Sequence, residues 1–179
     1  GFSEIAPSSL KLAQSVGYVA AVQSEYSLST RNPEMGLTQL TQASGTALVA
    51  FSPVGRSLLT DNPHTEERIS DMDFLKENPR FIEPNLSHNI RITNAFRKLA
   101  GELSISASGL AIAWLLHQGD NIIPIPGTRT VKHLEELTEG AQRKLSREEL
   151  ALIGDVLPIG WAHGNRYSVN QSKAVEQYC

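Results

Sequence analysis

The feature that most constrains this chain is a repeated pairing of a short uninterrupted apolar run with a stretch at helical spacing. The runs are residues 18–22 (YVAAV), 46–51 (TALVAF) and 122–126 (IIPIP). A strand with one wet face alternates, so uninterrupted runs read as strands covered on both faces. The helical stretches carry their own boundaries. Pro7 suits a first helical turn, Leu10, Ala13 and Val16 share a face, and Gly17 is placed to end that helix. Asn32-Pro33-Glu34 reads as a second helix start, with Leu37, Leu40 and Ala43 as its apolar face and Gly45 as its stop. Residues 89–102 and 107–116 continue the pattern, the latter capped by Ser106, and Ser146-x-x-Glu149 is a capping box for a last helix through Leu150, Ile153 and Leu157. Val22 and Val49 lie 27 residues apart, about one βα unit. Such alternation means a parallel sheet, either open and doubly wound or part of a (β/α)8 barrel. There is no GxGxxG, which counts against a dinucleotide-binding doubly wound sheet.

The rest of the chain narrows the classes further. At 179 residues it fits one domain or part of a larger one. A net charge of −3 gives no electrostatic case for nucleic acid. The longest apolar helix candidate, residues 107–116, is too short for a bilayer, and no signal peptide is visible, so no membrane role is expected. The single cysteine, Cys179, allows no internal disulfide and makes a reducing, cytoplasmic setting the default. The opening Gly1-Phe2 is compatible with processing, a tag scar or a fragment. Residues 57–86 are polar without a sustained period, and so long that a lid or binding loop is expected. The tail, residues 161–179, is polar and expected to be loosely held.

Polar residues gather where strands give way to loops. Ser3-Glu4, Gln23-Ser24, Ser52 and Gly127-Thr128-Arg129 all follow a strand or the end of one. In a barrel those positions face one rim, where sites are built. The stretch 121–137 is the fullest of these: strand, turn at Gly127-Thr128-Arg129, then Val131, Leu134 and Leu137 at helical spacing. Free N–H groups and the positive end of the helix dipole make that helix start an anion site, to which Arg129 and Lys132 add charge. A cofactor phosphate fits there; the same residues equally fit an ordinary strand–helix connection with a solvated arginine. Ser3 also suits a plain turn, Ser52-Pro53 plain strand termination, and Arg56 and His133 plain surface charges.

Other chemistries have no candidates. His64, His88, His117, His133 and His163 show no metal-ligand spacing. No GxSxG elbow exists, and Cys179 stands at the chain end. The rim residues are hydrogen-bonding groups and cations, suited to holding a polar ligand.

At this point the motifs GFSE (1–4), AAVQSEYSL (20–28), VAFSPVGRSLLT (49–60), IPIPGTRTVKHLEE (123–136) and GNRY (164–167) resemble the C-terminal half of an aldo-keto reductase. Each is weak alone; together, in family order and spacing, they are specific and cover essentially the whole chain. The resemblance implies an α/β fold, the C-terminal part of a (β/α)8 TIM barrel comprising strands six to eight and beginning at the exit of strand five. It implies NADP-dependent reduction of aldehydes or ketones, with NADPH, or possible NADH, as cofactor and a small carbonyl compound as substrate. It assigns Ser3 and Gln23 to the nicotinamide carboxamide and Phe51 to the place of the family's stacked aromatic. Ser52, Val54 and Arg56 fall to the pyrophosphate, Gly127, Thr128 and Arg129 to the adenosine phosphate, and Glu136 to the adenine. His133 stands where the family has an arginine, Leu137 where it has an asparagine, and Glu4 where asparagine is frequent. Arg166 and Tyr167 resemble the C-terminal loop beside the substrate. The family's Asp, Tyr, Lys and His tetrad lies on strands absent from this chain, so no catalytic residue is assigned, and the isolated chain is expected to be inactive. The N-terminal half of the barrel is its expected partner. A noncatalytic nucleotide-binding module, like the reductase-like subunits that serve channels, is the alternative.

Overall fold

The structure is a computed structural model describing residues 1–176. The expectation for Cys179 falls outside the described residues. One parallel sheet runs in chain order through β1 (Phe2–Ser3), β2 (Ala21–Glu25), β3 (Ala47–Phe51) and β4 (Ile122–Ile125). The sequence reading counts three strands; the fourth is Phe2–Ser3, which pairs with Val22 and Gln23 instead of forming a free turn. The helices are α1 (Pro7–Gln14), α2 (Leu37–Ser44), α3 (Glu66–Ser70), α4 (Asn85–Glu102), α5 (Ala107–Leu116), α6 (Val131–Gln142) and α7 (Arg147–Val156). No single described helix is long and apolar enough to cross a membrane.

Several boundaries follow the sequence signals. Pro7 opens α1, Gly45 closes α2 at φ 67°, the Ser106 hydroxyl accepts the Gly109 N–H at 3.0 Å, and Ser146 with Glu149 forms a complete capping box. Others move. α1 ends at Gln14 with Ser15, not Gly17, as its cap, and Val16 is exposed. Asn32-Pro33-Glu34 forms only a 3-10 turn, because Gly36 at φ 111° breaks the chain before α2. β2 starts three residues later than the apolar run, leaving Tyr18 77% exposed with its hydroxyl on the Gly45 carbonyl. Gln23, Ser24 and Glu25 therefore belong to the strand and not to the loop after it.

The sheet is covered on one face only. Val22, Leu48, Ala50 and Ile122 are buried among Leu10, Leu37, Leu110 and Trp114. The opposite face carries Gln23, Val49, Phe51, Ile123 and Ile125, which the register sets side by side. There Ile123 is 50% exposed and Ile125 43%, so the expectation of strands buried on both faces fails among the described residues. The apolar runs are those of a strand covered on two faces, and the described residues cover one.

The segment expected to be a lid or binding loop and the tail expected to be loosely held are both packed among the described residues. Residues 57–86 hold α3 and two 3-10 turns, and send Leu58, Leu59, Ile69, Leu75 and Phe81 into the core. In the C-terminal segment, Trp161 is buried with its indole N–H on the Leu28 carbonyl at 2.8 Å, and Asn89 and His163 exchange two hydrogen bonds. The anchors are spaced too far apart to register as a pattern. α5 and α6 approach backbone to backbone at Gly109 and Gly140, which sets α6 against α5.

Candidate functional site

The strand exits define one rim. Ser3 and Gln23 are register partners, level with Val49 and Ile123. Two residues further on, Glu25, Phe51 and Ile125 form the next rung of the same face. Ser52 follows Phe51 directly, and Gly127 stands two residues beyond Ile125. The rungs thus bring Ser3, Gln23, Phe51, Ser52 and the Gly127-Thr128-Arg129 turn to one end of one sheet, as the sequence reading required.

The backbone there is unusual. Glu4, Ser52, Arg56 and Ser57 all adopt positive φ, and with Gly55 at 58°, Arg56 at 53° and Ser57 at 89° three successive residues are left-handed. Each non-glycine residue in that region costs of order 1 kcal/mol or more and persists where surrounding contacts over-determine it. The chain passes from Val54 at φ −100° directly into this left-handed run, and the Gly55 N–H closes the turn on the Ser52 carbonyl at 2.9 Å. A side chain at Gly55 would be strained at φ 58°, and its Cβ would stand 2.9 Å from the Ser29 hydroxyl.

The charges at this rim were only half visible in sequence. The Glu4 carboxylate accepts the Glu25 N–H at 2.7 Å and the Ser24 hydroxyl at 3.2 Å, and it pairs with Arg166. Glu25 in turn pairs with Arg56 at 3.1 Å and Arg166 at 3.7 Å and accepts the Thr30 hydroxyl at 3.2 Å. Arg56 also lies 4.4 Å over the Phe74 ring and 6.0 Å from the Phe51 ring, and donates to the Tyr167 hydroxyl at 3.3 Å. So Arg56 and Arg166 are not free cations; two buried carboxylates hold them. Burial opposes the charge on Arg166, yet the Glu4 hydrogen bond and the fields of Glu4 and Glu25 outweigh it and hold its pKa above the ordinary arginine value. Glu4 and Glu25 went unassigned because a lone acid at a strand end carries no spacing signal.

Tyr167 packs edge-on against Phe74 at 5.9 Å, closing the C-terminal segment onto the 57–86 segment. Burial, then the Glu25 charge, push its phenol up to about 12. A raised phenol pKa favours the native state until the unfolded chain starts to ionise near pH 10, so this contribution is lost between about pH 10 and 12. An absorbance titration at 295 nm should therefore contain a component near pH 12 that Tyr167→Phe removes; an unchanged curve would place Tyr167 in solvent.

The second part of the rim is open. Gly127, Thr128 and Arg129 are exposed, and Thr130 caps α6 by accepting the His133 N–H at 3.2 Å. Val131 is 72% exposed and Leu134 is also exposed, so only Leu137 of the expected apolar stripe is buried. The Arg129 charge reaches His64 on the 57–86 segment, whose pKa is lowered by burial, then Arg68, then Arg129. Glu136 accepts the Ser108 hydroxyl at 3.2 Å and lies 3.9 Å from Lys132, at the α5–α6 seam. Ser3, Gln23, Phe51, Ser52, Val54 and Arg56 thus line one end of the rim, and Gly127 to Glu136 continue it along β4 and α6.

A parallel sheet followed strand by strand by helices, with its polar residues at the strand exits, is the architecture of (β/α) barrel proteins. The Aldo/keto reductase family profile matches residues 1–157, and the chain belongs to that family. It is 35% identical over 167 residues to "Probable aldo-keto reductase 1" of Glycine max, covering 93% of this chain and 48% of that one. It is 34% identical over 170 residues to "Aldo-keto reductase yakc [NADP(+)]" of Schizosaccharomyces pombe, covering 93% and 50%. In fold it is similar to a glycerol dehydrogenase of Gluconobacter oxydans, with a TM-score of 0.73 at 22% identity over 94% of this chain and 51% of that one. The chain therefore spans about half the length of the curated relatives it matches.

Proposed function

We propose that this chain is the cofactor-binding half of an NADP-dependent aldo-keto reductase, and that it forms the C-terminal part of the barrel, with β1 to β4 as barrel strands five to eight. The observation that carries the reading is the register: Ser3, Gln23 and Phe51 share one face at one end of the sheet, and Ser52 to Arg56 and Gly127 to Arg129 extend it. The half-exposed face bearing Val49, Ile123 and Ile125 supports it too, since eight strands close a barrel whose interior those residues would fill.

On this reading the residues present fit a dinucleotide. Ser3 and Gln23 offer hydrogen bonds to the carboxamide, and Phe51 offers a face for the nicotinamide ring. The exit of β3 at 52–57 falls to the pyrophosphate by its place beside Phe51, with Arg56 already paired to Glu25 and acting through position more than charge. Arg129 at the start of α6 is the cation for the adenosine phosphate, with His133 beside it. NADPH, when bound, supplies a hydride for a carbonyl carbon. This chain's own residues bind and orient the cofactor, while the proton donor belongs to the remainder of the enzyme. NADPH is favoured over NADH by Arg129.

Fluorescence titration of the whole protein with NADPH tests this. Arg129→Ala should weaken binding about tenfold, the ~1.4 kcal/mol expected for loss of one charge-assisted contact. The same substitution should leave NADH binding within about twofold. Equal losses for both cofactors would remove Arg129 from the phosphate site.

A further inference from the structure

Beside the rim lies a cavity of about 550 Å³ between the residues following β2 and the C-terminal segment. Arg80, Arg166, Asn32, Asn165, Tyr167 and Glu176 are among the residues that line it. Arg56, Arg80 and Arg166 face two carboxylates, Glu4 and Glu25, so one positive charge is left over. The leftover cation is Arg80. Among the described residues no carboxylate comes within 4.0 Å of it, and its own bonds go to neutral oxygens, Thr30 Oγ1 at 2.7 Å and the Gly164 carbonyl at 3.4 Å. Burial pulls its pKa down, and Arg166 and Arg56 add to that against the Glu25 field. A guanidinium so placed is expensive to keep out of water without a counter-charge. Glu176, the carboxylate in the lining, is turned to the start of α1, where it accepts the Ala6 N–H at 2.7 Å.

We propose that this cavity is an anion site, in which Arg80, flanked by Asn32 and Asn165, receives the carboxylate or phosphate of a small polar ligand. A guanidinium fork matches either group with paired hydrogen bonds, and the volume suits a metabolite rather than a lone ion. Tyr167 forms one wall and is joined through Arg56 to the surroundings of Phe51. If the carbonyl-reduction reading holds, the cavity would seat the acidic end of a carbonyl substrate; that clause rests on the reading, whereas the anion site does not.

The test is a titration of the whole protein without nicotinamide cofactor, followed by NMR at the Arg80 side-chain and Tyr167 amide signals. Inorganic phosphate, succinate and neutral succinamide are added at constant ionic strength. Saturable shifts with phosphate or succinate but not succinamide are expected, and whichever anion saturates first identifies the group. Arg80→Met should weaken binding at least about tenfold, and the exposed change Asn165→Ala several-fold, while Arg129→Ala leaves the shifts in place. If Arg80→Met does not fold, Asn165→Ala decides. Equal shifts with chloride, meaning an adventitious ion only, or full binding in Asn165→Ala and Arg80→Met, would overturn the proposal. Neither result touches the NADPH titration, so the two readings fail separately.

Discussion

Gly140→Ala should destabilise the protein by about 3 kcal/mol and lower its Tm by roughly 10 °C. A Cβ at this position would lie 2.3 Å from the Gly109 carbonyl oxygen and 2.5 Å from its Cα. Both are backbone atoms of the most deeply buried helix, so no rotamer change relieves the overlap. The reverse substitution meets the same wall: a Cβ on Gly109 would come within 2.9 Å of the Glu136 carbonyl. α6 must therefore move away from α5, which puts the effect at the upper end of ordinary overpacking costs. The movement also reaches the proposed cofactor site, because the Thr130 cap, His133 and Glu136 ride on α6. Thermal unfolding by circular dichroism checks the stability, and a Tm within about 2 °C of wild type would show that the helices are not in backbone contact.

Glu4→Ala should cost about 3 kcal/mol, because it takes the carboxylate from two buried partners at once, the Arg166 guanidinium, left with only its 3.7 Å contact to Glu25, and the Glu25 N–H. Their burial is not complete, with the Arg166 side chain 14% exposed, so the figure belongs at the low end of the range for broken buried pairs. The local consequence is sharper than the global one. The segment Gly164–Tyr167 is held by Glu4, by Glu25 through Arg166, and by Asn78, whose amide donates to the Arg166 carbonyl at 2.7 Å. Removing the first anchor exposes the peptide bond after Arg166. Limited trypsin digestion should cut Glu4→Ala there well before the wild type, with Glu4→Gln intermediate because its amide oxygen still accepts the Glu25 N–H. Equal cleavage rates across the three proteins would show that the ion network does not hold this segment.

The sequence carried the alternation of strands and helices, and with it the parallel sheet, because capping residues and apolar spacing act locally: Ser106, Gly45 and the Ser146–Glu149 box stand where the helices begin or end. The rim was legible for the same reason, since residues just past an apolar run must emerge at a strand exit. What pattern could not show were contacts between distant positions. Trp161 reaching Leu28, Arg166 reaching Glu4 and Glu25, and Arg80 reaching Thr30 join residues with no common period. The tail therefore read as loose and the 57–86 segment as a lid or binding loop, although scattered side chains pin both. The apolar runs erred in the opposite direction. They report the burial of a strand with two covers, and residues 1–176 supply one.

The central claim is that the loops at these strand exits cradle a single dinucleotide. A crystal structure of the whole protein with NADP tests it most directly. The nicotinamide ring is expected over Phe51 with its carboxamide on Ser3 and Gln23, the pyrophosphate along residues 52–57, and the adenosine phosphate on Arg129. A dinucleotide bound away from β2 and β3, or one that leaves Gln23 and Arg129 both untouched, would contradict the account.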